Sequence, residues 1–273
     1  MQLQYFTPKS KLLARYLEGY YFLEKERDEP AVEYLTFPNN FSIVSLLQDT
    51  QLTLAGNSVL IEEKTGGDFT SQLICHYEKP IKIRYEGRVR EITFYFKPLG
   101  LNAFIEKPLQ QYLGDSFRSF LPFEDYEAAM KSVLSEESLD EQRNSIENYW
   151  LSKFLGFEHE LLQDILSDLT DKTKDYAIEE LAEKYHTSRQ NISRQFSIHI
   201  GKTPSEFKKT QRFRQTMAKN MEGTNLTTLS YDNSFYDQSH LIRDFKSFTG
   251  LTPKAFFKSI SLQENATINW LFL

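Results

Sequence analysis

What this sequence has little of narrows it first. It holds a single cysteine, Cys75, in 273 residues. Neither an intrachain disulfide nor a Cys-based zinc site can form, and a reducing, cytoplasmic setting is expected. Only 11 Gly and 9 Pro occur beside 40% hydrophobic and 26% charged residues, which excludes collagen-like, low-complexity and disordered classes. No run approaches the ~20 apolar residues of a bilayer span, so no membrane partner is expected. The opening MQLQYFTPKSKLLARYLEGYY lacks the uninterrupted apolar core of a signal peptide. There is no phosphate-cradling glycine loop; Gly66-Gly67 reads as a hairpin turn. Neither a cofactor nor a catalytic residue is expected.

What is present is aromatic and unevenly charged. The chain has 22 Phe and 15 Tyr, enough for an aromatic-rich core, and length for two domains. The formal net charge is −6, yet residues 171–260 hold 15 Lys/Arg against 10 Asp/Glu, leaving 17 against 28 elsewhere. A basic C-terminal module on an acidic body suits a DNA reader with a partner domain.

Along the first third, short strands are expected at 32–37, 41–48, 51–54, 59–61, 70–77, 81–85 and 91–96. Ile81, Ile83 and Tyr85 alternate with Lys82 and Arg84, the period of a strand with one buried face. Turn residues separate the runs, among them Pro38-Asn39-Asn40 and Glu86-Gly87-Arg88. This spacing suggests a sandwich or small barrel. Helices come after Pro98: short ones at 101–106 and 124–134, a longer one carrying Leu139, Ile146, Trp150 and Phe154, and one carrying Leu161, Leu162, Ile165, Leu166 and Leu169. Their apolar stripes pack on the barrel or form a subunit interface. The polar stretch 170–175 has no large apolar anchor and reads as a linker between a domain at 1–169 and one at 176–262. An apolar tail, 263–273, ends the chain.

Past the linker the chain repeats itself. Gly201-Lys202-Thr203-Pro204-Ser205-Glu206-Phe207 matches Gly250-Leu251-Thr252-Pro253-Lys254-Ala255-Phe256 at an offset of 49. The same offset pairs Ile192, Arg194 and Phe196 with Leu241, Arg243 and Phe245, while Ile178, Leu181 and Ala182 pair with Leu226, Leu229 and Ser230 at 48. Each copy reads as helix, turn, helix. In the first, Thr187 or Ser188 caps a helix whose inner face is Ile192 and Phe196. Gly201 stops that helix and Thr203-Pro204 starts the next. In the second, Asp237 caps a helix with Leu241, Phe245 and Phe248 inside. A connecting helix carries Phe207, Phe213, Met217 and Met221. Two such units suit adjacent major-groove segments about 34 Å apart, with Arg and Gln making directional bonds to base edges.

These residues resemble the AraC/XylS regulator domain. The match runs over Leu181-Ala182, Ser188, Ile192, Arg194, Phe196, Gly201, Thr203-Pro204 and Phe207. It continues through Phe235-Tyr236-Asp237-Gln238-Ser239-His240-Leu241-Ile242-Arg243-Asp244-Phe245-Lys246 and Gly250-Leu251-Thr252-Pro253. The resemblance implies a bipartite, all-helical DNA-binding domain, with base-reading positions on Gln190, Ser193 and Arg194 and on Gln238, Ser239, Ile242 and Arg243. Arg189, Lys208, Lys209, Arg212, Lys246 and Lys254 are candidates for phosphate neutralisation. Where the family has Gly before the Phe of the second turn, this chain has Ser234; a positive φ there costs roughly 1 kcal/mol. Glu91 to Leu101 is similar to the last strand and exit of cupin-like sensor domains. The whole is therefore expected to be α+β: a cupin-like β-barrel with appended helices, then the bipartite helix-turn-helix domain.

Double-stranded DNA is the expected partner, with a small-molecule effector of open identity, RNA polymerase if the protein activates, and a second copy in a homodimer. Two other readings stay open. A cupin-type enzyme with an accessory DNA domain needs a metal set, but His76 is the only histidine in the barrel region. A ligand-independent regulator, whose barrel only dimerises or makes protein contacts, would have a filled interior. Cys75 is a redox sensor if its pKa is lowered, or a small apolar filler.

Overall fold

The computed structural model describes residues 1–66, 69–113, 119–171, 173–221, 238–259 and 270–272. The architecture is the expected α+β one. Strands β1 (Gln2–Phe6), β2 (Leu17–Lys25), β3 (Val32–Thr36), β4 (Ser42–Gln48), β5 (Thr50–Ala55), β6 (Ser58–Glu63), β7 (Thr70–Ile74), β8 (Ile81–Glu86) and β9 (Val89–Phe96) form the N-terminal part, with one short helix, α1 (Leu13–Tyr16). Then come α2 (Tyr126–Ser135), α3 (Leu139–Ser152), α4 (Glu160–Thr170), α5 (Ile178–Lys184), α6 (Arg189–His199), α7 (Pro204–Met221), α8 (Gln238–Thr249), α9 (Pro253–Ser259) and a last strand, β10 (Trp270–Phe272).

The strands make two five-stranded sheets, ordered β1-β2-β9-β4-β7 and β10-β3-β8-β6-β5. The first sheet is covered on both faces. Tyr20, Phe22, Val44, Leu46, Ile92, Phe94 and Phe96 point to α2 and α3, while Tyr21, Leu23, Ile43, Leu47 and Tyr95 meet the second sheet's Tyr34, Val59, Ile61, Ile81 and Tyr85. That double burial explains why β2 and β9 read as nearly continuous apolar runs, without the alternation of a half-exposed strand. Reading by alternation places no strand before Val32, so β1 and β2 are additions made by the structure. The C-terminal segment also lies on the barrel: β10 pairs antiparallel with β3 in the register Leu271↔Leu35.

Trp150 of α3 sits at the centre of the outer core, fully buried. Its ring lies 4.9 Å from Phe96 and 5.6 Å from Phe94 and Phe104, centroid to centroid, edge-on in each case. Its indole N–H is buried without an acceptor. Glu147, one turn earlier and also buried, accepts from the amides of Lys9 and Ser10 and from the Tyr20 hydroxyl at 2.8–3.1 Å, fixing the segment that leads into α1. The helix expected at 101–106 is only a 3₁₀ turn, Leu101–Ala103. The amides of Leu155 and Gly156 occupy the Ala103 carbonyl, taking the acceptor a longer helix would use.

The reader region has two cores. Leu162, Ile165, Leu166 and Leu169 of α4 pack with Leu181, Ala182, Ile192, Phe196 and Phe207. The stripe on α4, which precedes the expected linker, thus faces the reader. The second core joins Phe213 and Met217 of α7 to Phe245, Phe248 and Phe256. Asp168 ties α4 to the linker and to α5. Buried on α4, it accepts from Lys174 at 3.0 Å, Lys184 at 2.5 Å and the Tyr185 hydroxyl at 2.7 Å. Burial alone would raise its pKa, but these donors outweigh that effect and hold it at about 2. Among the described residues no helix is long and apolar enough to cross a membrane.

These cores make two stability measurements informative. Trp150→Ala should lower the unfolding free energy by about 3–5 kcal/mol in denaturant titration. Trp150→Phe should lose less, since it removes the orphaned N–H together with the larger ring; equal losses would contradict the packing described. An aspartate held at about 2 instead of 3.8 adds stability that is present above its unfolded pKa and lost as pH falls through 2. Asp168→Asn should therefore lower the melting temperature at neutral pH and flatten its decline below about pH 4. A parallel pH profile in the variant would exclude this role.

Candidate nucleic-acid interface

The first reader unit is built as its sequence specifies. The Ser188 hydroxyl accepts from the Asn191 amide at 3.1 Å and caps α6. Ile192 and Phe196 are buried, and Gln190, Ser193 and Arg194 are exposed on other sides of the helix. Arg194 Nη2 donates to Asn191 Oδ1 at 3.1 Å, which steadies the guanidinium along the outer face. Arg189 is ion-paired with Glu179 of α5. The turn into α6 carries His186 at φ +49°, and residue 186 aligns with 234 at the upstream offset of 48. Ser234 lies outside the described residues, as does Asp237, but its counterpart does use the left-handed conformation that favours glycine.

In the second unit, Phe245 and Phe248 of α8 are buried. Ile242 is 40% exposed, and Arg243 is exposed beside it. Arg194 and Arg243 therefore occupy the same repeat position on the outer side of their helices. Gln238 and Ser239 fall in the first turn of α8, but their side chains are outside the described residues, as is that of Leu241.

The phosphate candidates divide. Lys246 and Lys254 are exposed. Lys209 and Arg212 each stand 3.6 Å from Asp244, and the Lys209 amine is 4.8 Å from the Phe248 ring centroid. Such half-exposed pairs contribute about 0–1 kcal/mol, so a phosphate can take the place of Asp244. Lys208 is held more firmly, donating to the Tyr176 carbonyl at 2.6 Å and pairing with Asp175 at 2.7 Å. This arrangement clamps the linker to α7.

The turn between α6 and α7 is also a joint with the barrel, a role not read from the sequence. Gly201 has φ +77°, and a Cβ there would meet Leu113 Cδ1 at 2.7 Å and Cys75 Cβ at 3.2 Å. Lys202 is buried and donates to the Asn39 carbonyl at 2.7 Å and Asn40 Oδ1 at 3.3 Å; burial pulls its pKa down to about 8. Asn102 donates to the His199 carbonyl at 2.8 Å. The sequence did carry a signal for this joint. The repeat breaks its symmetry there, with Lys202 in the first copy and Leu251, 36% exposed, in the second.

His76 lies at this joint, just past β7, 3.8 Å from Glu206 and 3.9 Å from Glu78. Among the described residues these three are close enough together to share an ion. Glu206 already accepts from the Thr203 amide and hydroxyl at 2.7 and 2.8 Å, and the Lys202 ammonium acts on it electrostatically, which opposes a cation. Burial pushes the Cys75 thiol up to about 11, opposite to the shift a redox sensor needs.

Between the two sheets lies a cavity of about 60 Å³. Tyr21, Tyr34, Tyr77, Tyr85 and Tyr95 line it, with Glu91 the one acidic side chain on its wall among the described residues. Glu91 alternates with Thr93 and Tyr95 on the inward face of β9, a polar residue at a core position. That is the signal by which the sequence could have marked it.

Three comparisons place these features among known proteins. Residues 181–259 match the family described as helix-turn-helix domain. An uncharacterized HTH-type transcriptional regulator of Haemophilus influenzae is 28% identical over 99 residues, 36% of this chain, and the chain spans 33% of that relative's length. Among solved structures, ToxT from Vibrio cholerae overlaps with a TM-score of 0.46 at 10% identity, covering 94% of this chain and 98% of that one. ToxT bound to an unsaturated fatty acid overlaps at 0.42 and 10% identity, covering 86% and 94%. The C-terminal region of this chain, over 181–259, is a helix-turn-helix domain of the AraC type.

Proposed function

We propose that the protein is a sequence-specific DNA-binding transcription regulator and not an enzyme, reading two adjacent major-groove segments with α6 and α8. The observation that carries this is the recurrence of an exposed arginine, Arg194 and Arg243, at one repeat position above buried Phe196 and Phe245. Gln190, Ser193, Gln238, Ser239 and Ile242 flank them as base-edge contacts. Lys246, Lys254, Arg189, Lys209, Arg212 and Lys208 face phosphates, the last four after exchanging their carboxylate partners. The DNA-binding unit is 176–262, with α4 as a supporting layer. A homodimer and, in activation, contact with RNA polymerase belong to the same reading.

An effector in the barrel would act on the reader through short links. The Tyr77 hydroxyl, on the cavity wall, donates to the Phe37 carbonyl at 2.6 Å. The Phe37 ring stands edge-on to Phe256 of α9 at 5.0 Å. A ligand that moves Tyr77 thereby shifts the packing of the second unit and the population of DNA-competent states. The cavity supports this reading over a barrel that serves only for protein contacts.

Binding to a selected duplex and its single-base variants tests the assignment. Arg194→Ala and Arg243→Ala should each lose about 1–3 kcal/mol and relax preference at one base pair, in different half-elements. Lys254→Ala should weaken all sequences alike and reduce the salt slope by about 1. Arginine variants that bind cognate and random DNA as the parent does would overturn the reading.

A further inference from the structure

We propose that the cavity between the sheets is a binding site for a small organic cation, an alkylammonium, held by the Glu91 carboxylate among tyrosine rings. The inference deepens the effector reading above and rests on it for its regulatory consequence, but not for the binding itself.

A buried carboxylate on the cavity wall, with no cationic partner among the described residues, carries the argument. Glu91 is 4% exposed, and its carboxylate is compensated by hydroxyls alone. Oε1 accepts from Tyr21 at 2.7 Å, Ser45 at 3.0 Å and Thr93 at 2.6 Å. Oε2 accepts from Tyr85 at 2.5 Å. Since the Tyr85 proton is committed to Glu91, the 3.0 Å contact between Tyr34 and Tyr85 has Tyr34 as its donor. Tyr77 likewise gives its proton to the Phe37 carbonyl. Each hydroxyl has one proton to donate; Tyr85 in turn accepts from Tyr34, and Tyr77 from Thr36 at 3.0 Å and from the Asn39 amide at 3.4 Å, so the Glu91 carboxylate is the acceptor this wall offers a guest.

Among the described residues the lining thus holds one carboxylate and no Lys or Arg. Arg214 acts from outside it on Tyr77 and Tyr95. Burial holds Tyr21 and Tyr85 well above their usual range, so they stay neutral and do not compete for the cation. An ammonium has donors and no acceptor, which is the complement of this carboxylate, and the rings attract it further. A carboxylate ligand would meet Glu91, and an alcohol brings it no positive charge. Oε2, with a single partner, keeps a direction open. The volume limits the guest to an ammonium bearing a few carbons.

The test uses the full chain at constant ionic strength, with ethylammonium as probe. Ethanol is its neutral counterpart, acetate its anionic one and tetrapropylammonium an oversized cation. Ethylammonium should raise the melting temperature saturably, and saturation transfer from tyrosine ring protons should reach its methyl group. The three controls should do neither, and Glu91→Gln should weaken binding at least tenfold. Equal effects from ethanol, acetate or tetrapropylammonium, or unchanged binding in Glu91→Gln, would overturn the proposal. If Glu91→Gln does not fold, the saturation-transfer result in the parent protein decides. DNA affinity measured in the same samples separates the two readings. DNA binding without saturable ethylammonium binding overturns the cation site and leaves the reader standing. Saturable ethylammonium binding in a protein that does not bind DNA supports the cation site and contradicts the regulator.

Discussion

Neither half of the reader closes its own core. Leu99, the residue after Pro98 at the barrel's exit, is packed with Leu162, Leu181, Ile192 and Phe196 in the first half. Phe37, at the end of β3, is packed with Phe213, Phe245 and Phe256 in the second. Leu99 takes a left-handed φ of +65° to do so, a conformation costing a leucine about 1–2 kcal/mol; its burial offsets this by a similar amount. One barrel residue in each half makes the relative placement of the two readers a property of the barrel. The connecting helix α7 adds to this, since Phe207 serves the first core and Phe213 and Met217 the second.

Buried polar groups show where the fold accepts a cost for the sake of position. Asp168 is paired with two lysines and joins α4 to α5. Lys202 is buried with backbone and side-chain amide oxygens as its hydrogen-bond partners, and its lowered pKa records the desolvation. Glu91 is buried among hydroxyls. The first fixes the reader's entry, the second seats the reader on the barrel, and the third lies where the barrel is hollow. Each is at a place where position matters more than stability.

Legibility in the sequence tracked the physics of each element. The reader was legible because duplication supplies an internal control: Phe196 and Phe245, Gly201 and Gly250 recur with the same burial or the same positive φ. The solvent-facing strands β5 and β8 could be read from turns and alternation. Strand β2 could not, because Tyr20 and Phe22 serve one core and Tyr21 and Leu23 the other, which leaves no polar face. The joint at Lys202 and the carboxylate at Glu91 are long-range features. Asn39 and Lys202 are 163 residues apart, a contact local spacing cannot show. Both left a trace in the sequence, one as a break in the repeat and the other as an acid in an inward position.

The central claim is that two recognition helices, set by one barrel, read two DNA segments together. Selection of bound sequences from a random duplex pool by the full chain tests it most directly. The account predicts a single enriched motif with two half-elements about one helical turn, roughly 34 Å, apart and at fixed spacing. Enrichment of one isolated half-element, of half-elements at variable spacing, or of none by a folded protein would contradict it.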